Sequence, residues 1–389
     1  CFKIQSSCHL PSRRGSQGTL SCRPKFPQER KGRSLKIKSI QSWQEEIELK
    51  EPFSISFSTE DAVTLHFVKL ESSSGLQGFG SAKPSFHVTG ENSDSCKEAL
   101  QNKAQEILEH EDFRHLPRLI RKLEEALPRN PAARAALDMA LHDLLAKSME
   151  LPLVELLGRC HSIMPTSITI GIKDIDETLE EARRCLSEGF TVLKVKLGRN
   201  IEEDLEKMSK LREEVPKRTR IRVDPNQGYG LEDLIRFCKE TEELDVEFLE
   251  QPMPADEIKP LQKLPENIRT RLAADESLHH PNDATKLLAP QPACGIFNIK
   301  LMKCGGIFRG RQIASIAEAA SIPLMWGCNN ESRLSLSAAL HAAFSCPNTQ
   351  YLDLDGDLDL VRDPAQGGYR IQNGMMILED SPGLGISFK

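Results

Sequence analysis

No part of this 389-residue chain approaches the 18 or more uninterrupted apolar residues that a membrane helix needs. The eleven cysteines lack metal-ligand spacing and form no disulfide framework, so they read as reduced thiols of an intracellular compartment. Acidic residues are nearly absent from residues 1–38, where Glu29 stands against ten Lys and Arg. The net charge of -6 therefore belongs to a distinctly acidic body, which gives no reason to expect nucleic acid as a partner. Residues 1–34 are rich in Ser and Arg and carry no apolar periodicity, a composition that predicts a transit peptide, plastid ahead of mitochondrial, or else a disordered basic tail.

What is present is a globular composition, 39% hydrophobic and 28% charged. The length suits a barrel of about 250 residues plus a smaller domain. From Leu35 the stretches LKIKSIQSWQEEIEL, AVTLHFVKLES and LQGFGSA read as an antiparallel meander. Helical patterns follow near 94–110, 112–126 and 131–148, the last opened by Asn130 as N-cap and Pro131 at the first helical position. Residues 35–160 thus read as one α+β domain. Beyond them, eight apolar strand candidates centred near 168, 194, 223, 249, 273, 298, 324 and 352 alternate with amphipathic helices. That is the pattern of a (β/α) barrel over 161–360, with residues 361–389 standing in for the last helix.

Charged residues mark the ends of these strands. Lys194 and Lys196 are followed by Asp224, Glu250, Asp275 and Lys300, in steps of 25 to 28 residues from Lys196 onward. Residues at the carboxyl ends of parallel barrel strands converge on one mouth. Alone, a Lys-X-Lys is commoner on a solvent-facing edge, and each acid is commoner as a cap or a solvated charge. On a barrel strand the two lysines share a face, repel one another, and are expected to lower each other's pKa toward a range suited to a base. Three converging carboxylates suit a hard divalent cation such as Mg²⁺. Lys300 lies across the barrel from Lys196, so two bases flank a metal-bound substrate. One can take a proton from the carbon beside a carboxylate and the other can return it on the opposite face, with the metal stabilising the enediolate between. In YLDLDGDLDL, Asp353 and Asp355 form a carboxylate pair that can hold a substrate ammonium, or a polar strand end before a turn.

The order Lys-X-Lys, Asp, Glu, Asp, Lys, with VKLG, VDPNQGY, EQP, ADES and IKLMKCGG, resembles the muconate-lactonising subgroup of the enolase superfamily over residues 35 to about 385. The resemblance implies an α/β fold, a modified (β/α)7β barrel under an N-terminal α+β capping domain. It implies Lys196 and Lys300 as acid/base pair, with Lys196 acting on the S (L) form, Lys194 as electrostatic helper, and Asp224, Glu250 and Asp275 as ligands of one Mg²⁺ per subunit. Within the subgroup, dipeptide epimerases carry an Asp-X-Asp for the α-ammonium of the dipeptide, here Asp353 and Asp355. Thr169 and Cys328 are carried over as further substrate contacts. Same-family alternatives are o-succinylbenzoate synthase and muconate cycloisomerase, and a non-catalytic barrel that binds ligand is the alternative from another class. Epimerases of Ala-Glu dipeptides are expected to place an Arg in the capping loop. Here Phe57 falls near that position and no Arg occurs between Lys38 and Arg114, which argues against a Glu side chain at the second position and leaves an apolar or different residue there as the expectation. The segment KPSFHVTGEN resembles the family's lid, with Gly90 as a hinge, and the family's barrels often form homo-oligomers.

Overall fold

The computed structural model describes residues 35–56 and 58–388; the leader 1–34 and Phe57 lie outside the described residues. Strands β1 (Ile37–Ser54), β2 (Thr59–Ser72) and β3 (Gln77–Ala82) form the antiparallel meander. Alternation along β2 sends Val63, Leu65 and Phe67 to one face, where they pack with Ile47, Leu49 and Leu360. Val68 and Leu70 belong to the main core, together with the helix Pro131–Ser148. That helix is buried on almost every side and rich in Ala, so it can lie close against β3. A Cβ at Gly78 or Gly80 would run into the carbonyl oxygens of Ala140 and Ala136. The predicted Asn130 is the N-cap and Pro131 the first helical residue, but the Asn130 side chain makes no capping bond. Buried Glu91 caps instead, accepting from the Ala132 N–H at 2.8 Å, while Asn130 donates to it at 3.0 Å.

A two-residue strand β4 (Met164–Pro165) leads into eight parallel strands: β5 (Ile168–Ile170), β6 (Val192–Lys196), β7 (Arg220–Asp224), β8 (Val246–Glu250), β9 (Leu272–Ala274), β10 (Ile296–Ile299), β11 (Leu324–Gly327) and β12 (Thr349–Asp353). They pair in sequence order, and the ring closes where Thr166 bridges Leu352 and the Ser167 N–H donates to the Leu352 carbonyl at 3.1 Å. Helices follow each strand through β11, and none follows β12. The chain continues instead through β13 (Ala365–Gly367), β14 (Tyr369–Gln372), β15 (Met375–Leu378) and β16 (Ile386–Phe388). The β14–β15 hairpin pairs with β4, and β16 pairs with β13. Phe388 then sits among Trp43, Phe67 and Phe79, with ring centroids 5.0–5.5 Å apart.

Two buried aspartates of the helix Pro131–Ser148 bind the meander, the barrel and the C-terminal strands together. Asp143 accepts from the N–H groups of Phe79 and Leu384 at 2.9 and 2.8 Å and from Lys147 at 2.7 Å. Asp138 accepts from the Ile307 N–H at 2.6 Å, at the start of the barrel helix Ile307–Ala319. Both carboxylates satisfy backbone donors that would otherwise be orphaned, at element ends and along the free edge of β3.

Candidate active site

The strand ends place the charged residues together. Lys196, Asp224, Glu250 and Asp353 are the last residues of β6, β7, β8 and β12, and Asp275, Lys300 and Cys328 are the first residues after β9, β10 and β11. Lys194 lies two residues before Lys196 and so faces the same interior. Thr169, Lys194, Lys196, Lys300, Cys328, Asp353 and Asp355 line one cleft, roofed from the meander side by Phe53, Ser58, Glu60 and Lys83. Asp224, Glu250 and Asp275 lie beneath it, each 0–1% exposed.

Ion pairs knit the floor. Lys194 lies 2.7 Å from Glu250 and from Asp353 and 3.3 Å from Asp224. Lys196 lies 2.6 Å from Asp224, and Lys300 lies 2.8 Å from Asp275. These contacts correct one expectation. Burial alone would depress the Lys194 pKa, but Asp353, Glu250 and Asp224 outweigh it and hold it well above the usual value. At Lys300, burial is likewise overcome by Asp275 and Glu250, and the pKa is raised. Lysine repulsion loses because carboxylates outnumber ammonium groups in the mouth.

The carboxylates divide by the company they keep. Burial works to raise each one. Lys196 and Lys194 reverse it at Asp224, Lys300 and Lys303 at Asp275, and Lys194 at Asp353, and all three are held below the carboxylate norm. Burial and Asp224 push Glu250 up to about 7, and burial and Asp275 push Glu276 up to about 8. Among the described residues, no group of three or more His, Cys, Asp or Glu is arranged to hold a metal ion as it stands, because the lysines draw the carboxylates toward themselves. The donors nevertheless fit a hard dication. Three buried carboxylates supply only oxygen, and beside them Asn226 Oδ1 and Glu276 Oε2 are buried without a hydrogen-bond donor.

Asp353 and Asp355 are not equivalent. Asp353 is saturated, accepting from Ser167 Oγ at 2.6 Å and from Lys194 at 2.7 Å. Asp355 accepts the Thr169 N–H at 2.6 Å and a long thiol contact from Cys328 at 3.9 Å. Burial and the neighbouring Asp353 raise its pKa to about 7. Thr169 thus positions Asp355 through its backbone. Burial and the two aspartates push the Cys328 thiol well up, which makes it a neutral neighbour and not a nucleophile.

Several residues at the site went unread in the sequence although they sit inside the quoted strings. Asn226 of VDPN donates to Glu276 of ADES at 3.3 Å. Asn298 of IFNIK donates to Glu250 at 2.7 Å, and buried Lys303 of IKLMK bonds to Asp275. Asn226 and Gln251, just past Asp224 and Glu250, adopt left-handed φ values of 43° and 33°, a strain typical of functional loops. The Glu60–Lys83 pair, at 2.9 Å, had no periodic signal to betray it.

The sequence matches the enolase C-terminal domain-like family over residues 177–389, and the N-terminal domain of the mandelate racemase / muconate lactonizing enzyme family over residues 38–158. It is 52% identical to the L-Lys-D/L-Arg epimerase of Methylococcus capsulatus over 354 residues, covering 91% of this chain and 99% of the relative. A crystal structure of the dipeptide epimerase from that organism, complexed with Mg and the dipeptide L-Arg-D-Lys, superposes with a TM-score of 0.89 over 91% of this chain and 100% of the other. The substrate-liganded L-Ala-D/L-Glu epimerase of Bacillus subtilis, 30% identical, superposes with a TM-score of 0.87 over 90% and 98% of the two chains. Matched by both domain models and 52% identical to a relative over 91% of its length, the chain belongs to the mandelate racemase / muconate lactonizing enzyme family of the enolase superfamily.

Proposed function

We propose that the protein is a Mg²⁺-dependent dipeptide epimerase that inverts the α-carbon next to the free carboxylate by 1,1-proton transfer. The observation that carries this reading is the position of Lys196 and Lys300. Their strands, β6 and β10, are four apart in an eight-stranded ring, so the two ammonium groups enter one cleft from opposite sides. A carbon held between them can lose a proton to one lysine and regain it from the other with inversion. Asp355, on the wall of the same cleft and unsaturated, is suited to the α-ammonium of a dipeptide, and Thr169 fixes its direction.

Asp224, Glu250 and Asp275 would hold the metal, with Asn298 orienting Glu250 and Lys303 orienting Asp275. Mg²⁺ held there would supply positive charge against the negative charge that grows on the substrate carboxylate. Lys194, bonded to Asp353 and Glu250, keeps that side of the floor positive. Lys196 acts on the L form and Lys300 on the D form. A cycloisomerase or synthase acting on a substrate without an ammonium leaves Asp355 without a purpose, which favours the epimerase. The names of the relatives make basic dipeptides the first substrates to try.

The test is incubation of the protein with Mg²⁺ and L-Lys-L-Arg in D₂O. A one-dalton gain at the second residue, abolished by EDTA, is expected. No gain with any dipeptide in the metal-loaded protein overturns the reading.

A further inference from the structure

Five carboxylates line the cleft: Glu60, Glu276, Asp353, Asp355 and Asp359. Four have a donor. Glu60 takes Lys83, Glu276 takes Asn226, Asp353 takes Ser167 and Lys194, and Asp355 takes the Thr169 N–H. Of these five, Asp359 alone has neither a side-chain hydrogen bond nor an ion pair among the described residues, and it is half-buried. The nearest candidate cation, Lys50, is exposed and donates at 2.6 Å to the carbonyl of Leu358. Burial, Glu181 and Asp357 raise the Asp359 pKa to about 6 against the pull of Lys50. Half-buried on the cleft wall and without a protein donor, this carboxylate is open to a cation supplied from outside the chain.

Position says which part of a substrate that is. Asp359 lies one short turn beyond Asp355, where the Leu358 N–H closes back on the Asp355 carbonyl at 2.9 Å. The cleft continues at this wall into an outer pocket, and Phe53, Thr169 and Asp359 line both. The carboxylates of Glu51 and Glu181 on the outer rim are already paired, with Lys173 at 2.7 and 2.8 Å. A chain anchored by its α-ammonium at Asp355 directs the side chain of that same first residue along this wall, away from the carbon between Lys196 and Lys300.

Resting on the dipeptide reading above, we infer that Asp359 is the specificity-determining residue for the first position of the dipeptide, and that it selects a Lys or Arg side chain by a charge-assisted hydrogen bond. The dipeptide in the Methylococcus capsulatus structure, L-Arg-D-Lys, has such a side chain at its first position.

The experiment measures binding and exchange side by side for L-Lys-L-Arg and L-Ala-L-Arg, with Mg²⁺ and the whole chain. Calorimetric Kd values and deuterium-exchange kcat/KM are expected to favour the Lys-first peptide by about 10- to 100-fold, the range of one hydrogen bond to a charged group. Asp359→Asn should bring both ratios toward one, with the loss in KM more than in kcat. Asp359→Glu, which keeps the charge, should retain most of the preference and guards against a variant that fails to fold. Equal binding of the two peptides by the unaltered protein, or an undiminished ratio in D359N, overturns the inference whether or not exchange is seen. A binding preference that D359N removes, in a protein that exchanges neither peptide, upholds Asp359 while sinking the epimerase reading.

Discussion

Two layers of the same barrel bury charge in opposite ways. One layer below Asp224, Arg222 is fully enclosed. Its guanidinium lies 5.1 Å from the ring centroids of both Phe248 and Tyr351, bonds to Glu247 at 2.7 Å and donates to the Leu352 carbonyl at 2.8 Å. Phe248, Ala273, Ile296 and Met325 pack as a small dry cluster in this layer. In the mouth above, Lys194, Lys196, Lys300 and Lys303 stand among a larger number of acids, and acceptor atoms of Glu276 and Asn226 are left without donors. Arg222 sets one cation against one anion and two aromatic faces, with only its Nη2 left without a partner, and such a group holds walls together. The mouth is left with unmet acceptors and raised carboxylate pKa values, which is the condition of a site waiting for ligands.

The contrast can be broken from either side. The largest effect is expected at the mouth: Lys300→Ala should lower dipeptide exchange by about 10²–10⁴-fold, the range for losing a general acid/base, with the melting temperature little changed. A variant that exchanges at the normal rate removes Lys300 from the chemistry. Arg222→Met should do the reverse, costing about 1–3 kcal/mol in urea unfolding through the lost hydrogen bonds to the buried Leu352 carbonyl and to Glu247, which keeps Arg220 at 3.7 Å. An unfolding midpoint close to that of the unaltered protein would mean the lower layer is no more structural than the upper.

The third and smallest effect concerns pH. Glu276 has a folded pKa of about 8, above its ordinary value near 4.5. In metal-free protein the folded state therefore holds its proton more tightly than the unfolded state. That contribution to stability is complete below pH 4.5 and is lost as pH rises toward 8. Glu276→Gln should flatten this decline and gain on the order of 1–3 kcal/mol at pH 8, read by unfolding in EDTA. A steeper decline in the variant would contradict the assignment of strain to this carboxylate.

How much was legible in the sequence differs between the strands and what surrounds them. All eight barrel strands lie where the apolar runs predicted them, because parallel strands buried on both faces leave continuous hydrophobic signatures. The meander and the helix Pro131–Ser148 were equally plain from alternation and from the Asn-Pro start. Capping by Glu91, the use of Asp138 and Asp143 as ties between elements, and the Glu60–Lys83 pair were not. Each is a single polar residue whose partner lies far along the chain, and no local period announces it.

The sequence by itself determined the barrel, the order of Lys194, Lys196, Asp224, Glu250, Asp275 and Lys300 around its mouth, and the oxygen-only chemistry of the three acids. Side-chain alternation and the pitch of one strand and helix per step leave little freedom in these. Only the tertiary structure decided the electrostatics. Whether a lysine's pKa falls or rises depends on which charges stand within a few ångströms, and those come from strands on all sides of the ring. For the same reason four aspartates that alternate alike in YLDLDGDLDL part company in space. Asp353 is saturated by Ser167 and Lys194, Asp355 is held by Thr169, Asp357 pairs with Arg333 at 3.3 Å, and Asp359 faces the cleft without a donor.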